Sequence, residues 1–450
     1  MLLEHGILHT VLRKYMRFSV LAAAALLLLG SAAWAEKAKD DRAVRFLETI
    51  RITPVLPAAN KTAGALYSFD ISWVDQTSRT YYLADRSNAV VDIVDTTSDI
   101  LIAQLSPAPS LAAFAGISPP AFSTATAGPN GVTTSGHCLF VTDAPSRVVS
   151  FDTAFFPPKP VNDVKTDPSS PNRADELAVD PKDSLILAIN NADNPPFGTF
   201  VKFDAATCKL TQPVSPGADR ITFATATNGA EQPLWDPGTQ KFYLSIPQIG
   251  SALESGAVVR IDATTKKVDK TYGIMFCQPG GLTKGPNNDV LIGCSIVFDT
   301  AGGQWSATDT NTAAPIQVIL NVKTGDVDQV GGVGVGDEVW FNKGDGNYYT
   351  ASQRSPLGAV TNGGQTQVAS SAAILGVIDA TDEEVLQLAP TYNVAAVTTG
   401  PDSGKHPTGS AHSVAADAKN NHIFVPLAAN NVFPNCTMGC IAVYGHPDED

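Results

Sequence analysis

Seven times along the 450-residue chain the same short phrase returns, and a sevenfold internal repeat obliges the chain to fold as copies of one small unit packed side by side. Each copy opens on a polar residue or glycine, reaches an Asp or turn residue five positions on, and leads into a short β-rich run such as Tyr81-Tyr82-Leu83-Ala84 or Leu185-Ile186-Leu187-Ala188. The copies begin at Asp70, Asn130, Asp175, Glu231, Gly280, Asp337 and His412, with successive starts 60, 45, 56, 49, 57 and 75 residues apart. A second run usually follows and a third often ends in Asp, as at Asp95, Asp152, Asp204, Asp262 and Asp379. Strand, turn, strand, loop, strand is the grammar of a propeller blade. No stretch after residue 35 keeps a helical period, so the fold class predicted is an all-β, seven-bladed β-propeller.

The two ends support closure. After His412 come two evident strands, His422–Leu427 and Cys440–Tyr444, and then the chain stops. The missing outer strand is expected from Val44–Ile52, which would pair the first segment with the last and leave no open edge. Ahead of it, Arg13, Lys14 and Arg17 precede an apolar run from Val20 to Leu29 and the small-residue sequence ending at Ala35. That order reads as a secretory signal peptide over 1–35, followed by a single propeller domain over 36–450. The implied compartment is periplasmic or extracellular, with no membrane span after cleavage. The spacers 107–129, 298–316, 355–371 and 388–411 are rich in Pro, Ala, Gly, Thr and Ser and read as insertions on the blades.

All six cysteines lie beyond residue 35, and an even number in an exported chain suggests disulfides. Cys436 and Cys440 can close a local loop, Cys277 and Cys294 flank a turn and can face one another across neighbouring strands, and elimination leaves Cys138 with Cys208.

The first residue of each phrase occupies the same place in every repeat, so Asp70, Asn130, Asp175, Glu231, Gly280, Asp337 and His412 should converge on one ring at the pore mouth. Crowded carboxylates repel unless protonated or bridged by a cation, and an oxygen-rich set suits Ca²⁺ or another hard divalent cation. Asp70, Asn130, Asp175 and Glu231 are the candidate metal ligands, and His412 with Asp337 the candidate catalytic pair. The bland alternative is a polar pore that holds only water. Glu176 and Glu338, one residue further on, are expected to alternate away from the pore. Asp75, Asp180, Asp236 and Asp417 read as turn residues.

With 30 Lys+Arg against 44 Asp+Glu, the net charge is −14, becoming −16 without 1–35, and nucleic acid is excluded as a natural partner. No nucleophile elbow, phosphate loop or dinucleotide fingerprint occurs. The partner expected is a small molecule in the pore, taken up by a monomer.

Glu231-Gln-Pro-Leu-Trp-Asp-Pro resembles the Glu-bearing strand of the gluconolactonase and senescence-marker propellers, Pro129-Asn130-Gly131-Val132 their Asn-Gly strand, and the Asp175 phrase their Asp-Gly strand. The resemblance implies Glu231, Asn130 and Asp175 around a divalent cation, usually Ca²⁺, that assists lactone or ester hydrolysis. That family has six blades, which stands as the alternative to seven. Ala174-Asp-Glu-Leu-Ala-Val-Asp-Pro and the blade-end Ile-Asp also resemble secreted bacterial propellers with YVTN-type repeats, which implies a non-catalytic binding or scaffold propeller.

Overall fold

In the computed structural model, residues 42–54, 65–117, 123–304, 315–334, 336–355, 359–362, 365–368, 372–391, 412–430 and 433–447 are described. The predicted signal peptide, most of the spacer 388–411 and parts of the other spacers lie outside them. Seven antiparallel four-stranded sheets form a ring, the seven-bladed β-propeller expected, and six blades are set aside. The innermost strands are Ser72–Asp75, Val132–Ser135, Leu177–Asp180, Pro233–Asp236, Cys277–Lys284, Gly336–Asn342 and Ala415–Asp417, each beginning close to the start of a phrase. In the sixth blade a hairpin, Ala359–Asn362 with Gln365–Val368, is inserted between the second and third strands. Among the described residues no helix is long and apolar enough to cross a membrane.

The turn that follows each inner strand shows why the phrase ends in Asp. Asp75 Oδ1 accepts from the Thr77 and Ser78 N–H groups at 2.8 and 3.1 Å, and Arg79 closes the turn at φ +55°. Asp180, Asp236 and Asp417 make equivalent bonds, to the N–H groups of Lys182 at 3.0 Å, Gly238 at 3.1 Å and Lys419 at 2.9 Å. These four carboxylates are structural, as expected.

Among the described residues the apolar mass is divided into seven clusters, one at each boundary between neighbouring blades. Tyr82, Val91 and Ile93 of the first blade, for example, pack on Val132, Leu139 and Val141 of the second. The strand alternation of two explains this: both faces of each blade meet another blade and both are apolar.

The ring is closed as anticipated. Arg45–Arg51 pairs antiparallel with Cys440–Gly445 and becomes the outer strand of the seventh blade, with a register shift between Phe46 and Glu48. Three disulfides match the expected pairing. Cys138–Cys208 ties the second blade to the segment after the third strand of the third, Cys277–Cys294 links two strands of the fifth, and Cys436–Cys440 lies beside the closing strand. Ile50 anchors that strand in the boundary between the seventh and first blades at 5% exposure. Ile50→Ala is expected to cost roughly 2–4 kcal/mol in urea unfolding, as buried Ile truncations do. Arg51→Ala, exposed on the same strand, should stay within about 0.5 kcal/mol.

Candidate functional site

An inner strand presents its unpaired edge to the axis, so the axis must be sealed by bonds between blades. At the phrase starts the backbone does this directly. The Ile71 N–H donates to the Asn130 carbonyl at 3.2 Å, Gly131 to Asp175 at 2.9 Å, and Glu338 to His412 at 3.4 Å. Close approach demands glycine at two of these seams: a Cβ on Gly131 would lie 2.7 Å from the Asp175 carbonyl oxygen, and one on Gly281 2.4 Å from that of Asp337. Gly280 leaves no gap either, since a Cβ there would meet Asp337 Oδ1 at 2.8 Å.

The side chains at these seams converge as the repeat implies. Asp70 is bound by Arg86 and, through Oδ1, by His412 Nε2 at 3.0 Å, while His412 Nδ1 meets Asp337 Oδ2 at 3.0 Å. Asn130 Oδ1 accepts from Arg86 Nε at 2.8 Å, and its Nδ2 donates to the Ala127 and Ala174 carbonyls at 3.0 and 2.9 Å. Both Asp175 oxygens face Arg173 at 2.8 Å, and Arg86 lies 3.7 Å from Oδ1. Glu231 accepts a long 3.5 Å bond from Asn191. Arg86 and Arg173 are the partners the sequence reading did not see. Arg86 comes from the turn between the second and third strands of the first blade, and Arg173 from two positions ahead of its phrase, so neither holds a repeated place.

The charges settle accordingly. Burial works to raise the Asp70 carboxyl, but Arg86 and His412 overcome it and hold it well below the usual carboxylate range. Asp175, raised by burial and lowered by Arg173, stands at about 6, and Glu231, buried beside Asp175 and Asp337, at about 8. Burial opposes the His412 imidazolium, yet Asp337 and Asp70 on its two nitrogens raise it to about 10. At neutral pH the Asp70 and Asp175 carboxylates therefore stand against Arg86, Arg173 and the His412 imidazolium, with Glu231 protonated.

That arrangement does not fit a divalent cation. Asp70, Asn130 and Asp175 Oδ2 already receive hydrogens from guanidinium or imidazolium groups, and Asp175 Oδ1 lies against Arg173 and Arg86, so positive charge would face the ion. Among the described residues, the one set of three His, Cys, Asp or Glu ligand atoms within 4.8 Å of each other is His137, Cys138 and Cys208, and its two cysteines are disulfide-bonded. Nor does His412 have a free nitrogen to take a proton from water.

Below the ring the axis opens into a channel of about 440 Å³, lined in part by Trp73, Val179, Trp235, Lys284 and Trp340. Trp73 and Trp340 meet edge to face at 5.2 Å, and Trp73 Nε1 donates to Thr134 Oγ1 at 2.9 Å. Glu176 and Glu338 line this channel too, which corrects the expectation that they alternate away from it. A strand that offers its edge to a pore lets side chains from both of its faces reach the axis. Glu338 accepts from Ser413 Oγ and from the Val414 N–H at 3.0 Å, and burial lifts it to about 8.

Comparison with known proteins extends the fold and stops there. No known protein family and no curated protein matches the chain. Among solved structures, hydrazine synthase from Kuenenia stuttgartiensis is similar at 11% identity and TM-score 0.58, over 88% of this chain and 100% of that one. The WD40 domain of Pan2 from Neurospora crassa is similar at 10% identity and TM-score 0.52, over 91% and 97%. The class these define is the seven-bladed β-propeller.

Two outcomes test the charge network. Arg86 is 4% exposed, and Arg86→Met is expected to cost about 3–5 kcal/mol in urea unfolding, because it strands a buried carboxylate. His412 keeps its proton to about pH 10 in the fold against 6.5 outside it, so its stabilisation is complete below about pH 6.5 and is lost as pH rises towards 10. Glu338, raised from 4.5 to about 8, weakens the fold progressively as pH rises between those values. The melting temperature should therefore fall from pH 5 to pH 10. Glu338→Gln flattens the lower part of that slope and His412→Gln the upper part.

Proposed function

We propose that this chain is an exported, monomeric, non-catalytic binding propeller whose ligand site is the axial channel beneath the charged ring. One observation carries the reading: the ionic groups of the ring are answered by one another, while the channel below them is lined by indole rings and holds space for a small molecule. His412, set between two carboxylates as an imidazolium, is a clamp rather than a base. The three disulfides and the leader-like N-terminus support an oxidising compartment.

The competing reading, a Ca²⁺-dependent lactonase or esterase, makes the opposite forecast in one preparation. Protein purified without chelator is expected to carry far less than one divalent ion per chain and to turn over no lactone or aryl ester above buffer. Its tryptophan emission, to which the channel indoles Trp73, Trp235 and Trp340 contribute, should respond saturably to members of a small-molecule library. A stoichiometric ion, with lactone turnover abolished by Asp175→Asn and Glu231→Gln, would overturn the binding reading.

A further inference from the structure

Two seams between blades share a side-chain bond that a third, with a matching acid, lacks. At two boundaries the side chain of the second phrase residue reaches the N–H of the third phrase residue in the next blade. Gln232 Oε1 accepts from Leu282 N–H at 2.5 Å, and Glu338 Oε2 from Val414 N–H at 3.0 Å. Glu176 holds the same position in the third blade, and the residue due to serve it is Pro233, which has no N–H to give. Glu176 is 8% exposed, its Oε2 is buried with no hydrogen-bond partner, and its side chain lines the channel. Burial, followed by Asp175, Glu231, Asp70 and Asp337, holds this carboxyl well above its ordinary range.

A second orphan lies in the same channel. Lys284 Nζ is buried and makes no hydrogen bond, and burial draws its pKa down against the opposing pull of the Asp236 and Asp289 carboxylates, neither of which bonds it. Lys284 is the fifth residue of its phrase and Glu176 the second of its own, so three strand positions separate their backbones along the axis, about 10 Å at roughly 3.3 Å per residue. Glu176 Oε2 and Lys284 Nζ make no bond to each other. Trp73, Val179, Leu234 and Trp340 line the wall of the same cavity. A buried acid and a buried ammonium without partners each cost the free protein stability that a matching ligand restores.

We propose that the channel binds an elongated zwitterion, its ammonium group on Glu176 and its carboxylate on Lys284, with an apolar body against Trp73 and Trp340. The proposal rests on the channel being the ligand site and names the class of ligand it takes. An ω-amino acid or a short peptide with free termini carries that pair of charges, and the channel's 440 Å³ lies within the usual range for small-ligand sites.

The test is a tryptophan-fluorescence titration of the whole protein with 8-aminooctanoate, octanoate, octylamine, 4-aminobutanoate and trialanine. The first probe should bind at least about tenfold more tightly than octanoate, octylamine or the short 4-aminobutanoate, and trialanine shows whether a peptide body is also accepted. Glu176→Gln should weaken 8-aminooctanoate at least about tenfold and leave octanoate unchanged, and Lys284→Met should do the same and spare octylamine. Glu176→Gln should also melt no lower than the parent, which controls for folding. Equal binding of the three eight-carbon probes, or indifference of both variants, overturns the zwitterion while leaving the channel as a ligand site. If neither these probes nor any library compound perturbs the channel indoles, the binding reading itself falls.

Discussion

A propeller has no central core, and its stability depends on how the axis is sealed where seven sheets turn their unpaired edges towards one another. Here the seal is made at the starts of the inner strands, by backbone bonds from Ile71 to Asn130, Gly131 to Asp175 and Glu338 to His412. Everything polar at the pore mouth follows from that placement. The residues that open each phrase stand at the seam and are buried or partly buried, and a charge placed there gains from an opposite within the protein. Arg86 does this for two blades at once, touching Asp70 and Asn130, and His412 joins the seventh blade to the first and the sixth.

The same geometry separates two regions that a linear reading merges. The ring is an ionic network whose charges face one another, and the channel below it is a half-apolar cavity whose lining residues Glu176 and Lys284 each carry a buried polar atom without a hydrogen bond. The number of acids at the mouth says little about affinity for cations once the guanidinium groups are placed among them. What distinguishes the channel is the mismatch of one seam, where a proline stands opposite a glutamate.

Much of this architecture was legible in the sequence because the repeat is carried by residues with local duties. The Asp that ends each phrase caps a turn, the apolar runs fill the boundaries between blades, and the cysteines sit where strand neighbours can meet, so blade number, closure and pairing of the disulfides could be read directly. The partners of the ring could not. Arg86 and Arg173 come from a turn and a spacer, outside the repeated positions, and their direction depends on tertiary approach rather than on period. The placement of Glu176 and Glu338 was misread for a different reason: strict alternation describes a strand that shows a face, and these strands show an edge. Pro233, by contrast, was visible throughout, but its meaning needs the register between blades.

The closing strand has a bearing on how the protein is made. A chain is synthesised from its N-terminus, so Arg45–Arg51 emerges nearly 400 residues before its partner Cys440–Gly445 exists. For that interval it is a bare strand able to pair with any open sheet, including the growing edge of its own propeller or a neighbouring chain. Its composition limits that hazard: Arg45, Glu48 and Arg51 interrupt the apolar residues, and only Ile50 becomes deeply buried. The segment that completes the ring is thus weakly sticky by itself, and it gains its hold only when the last blade presents a matching edge.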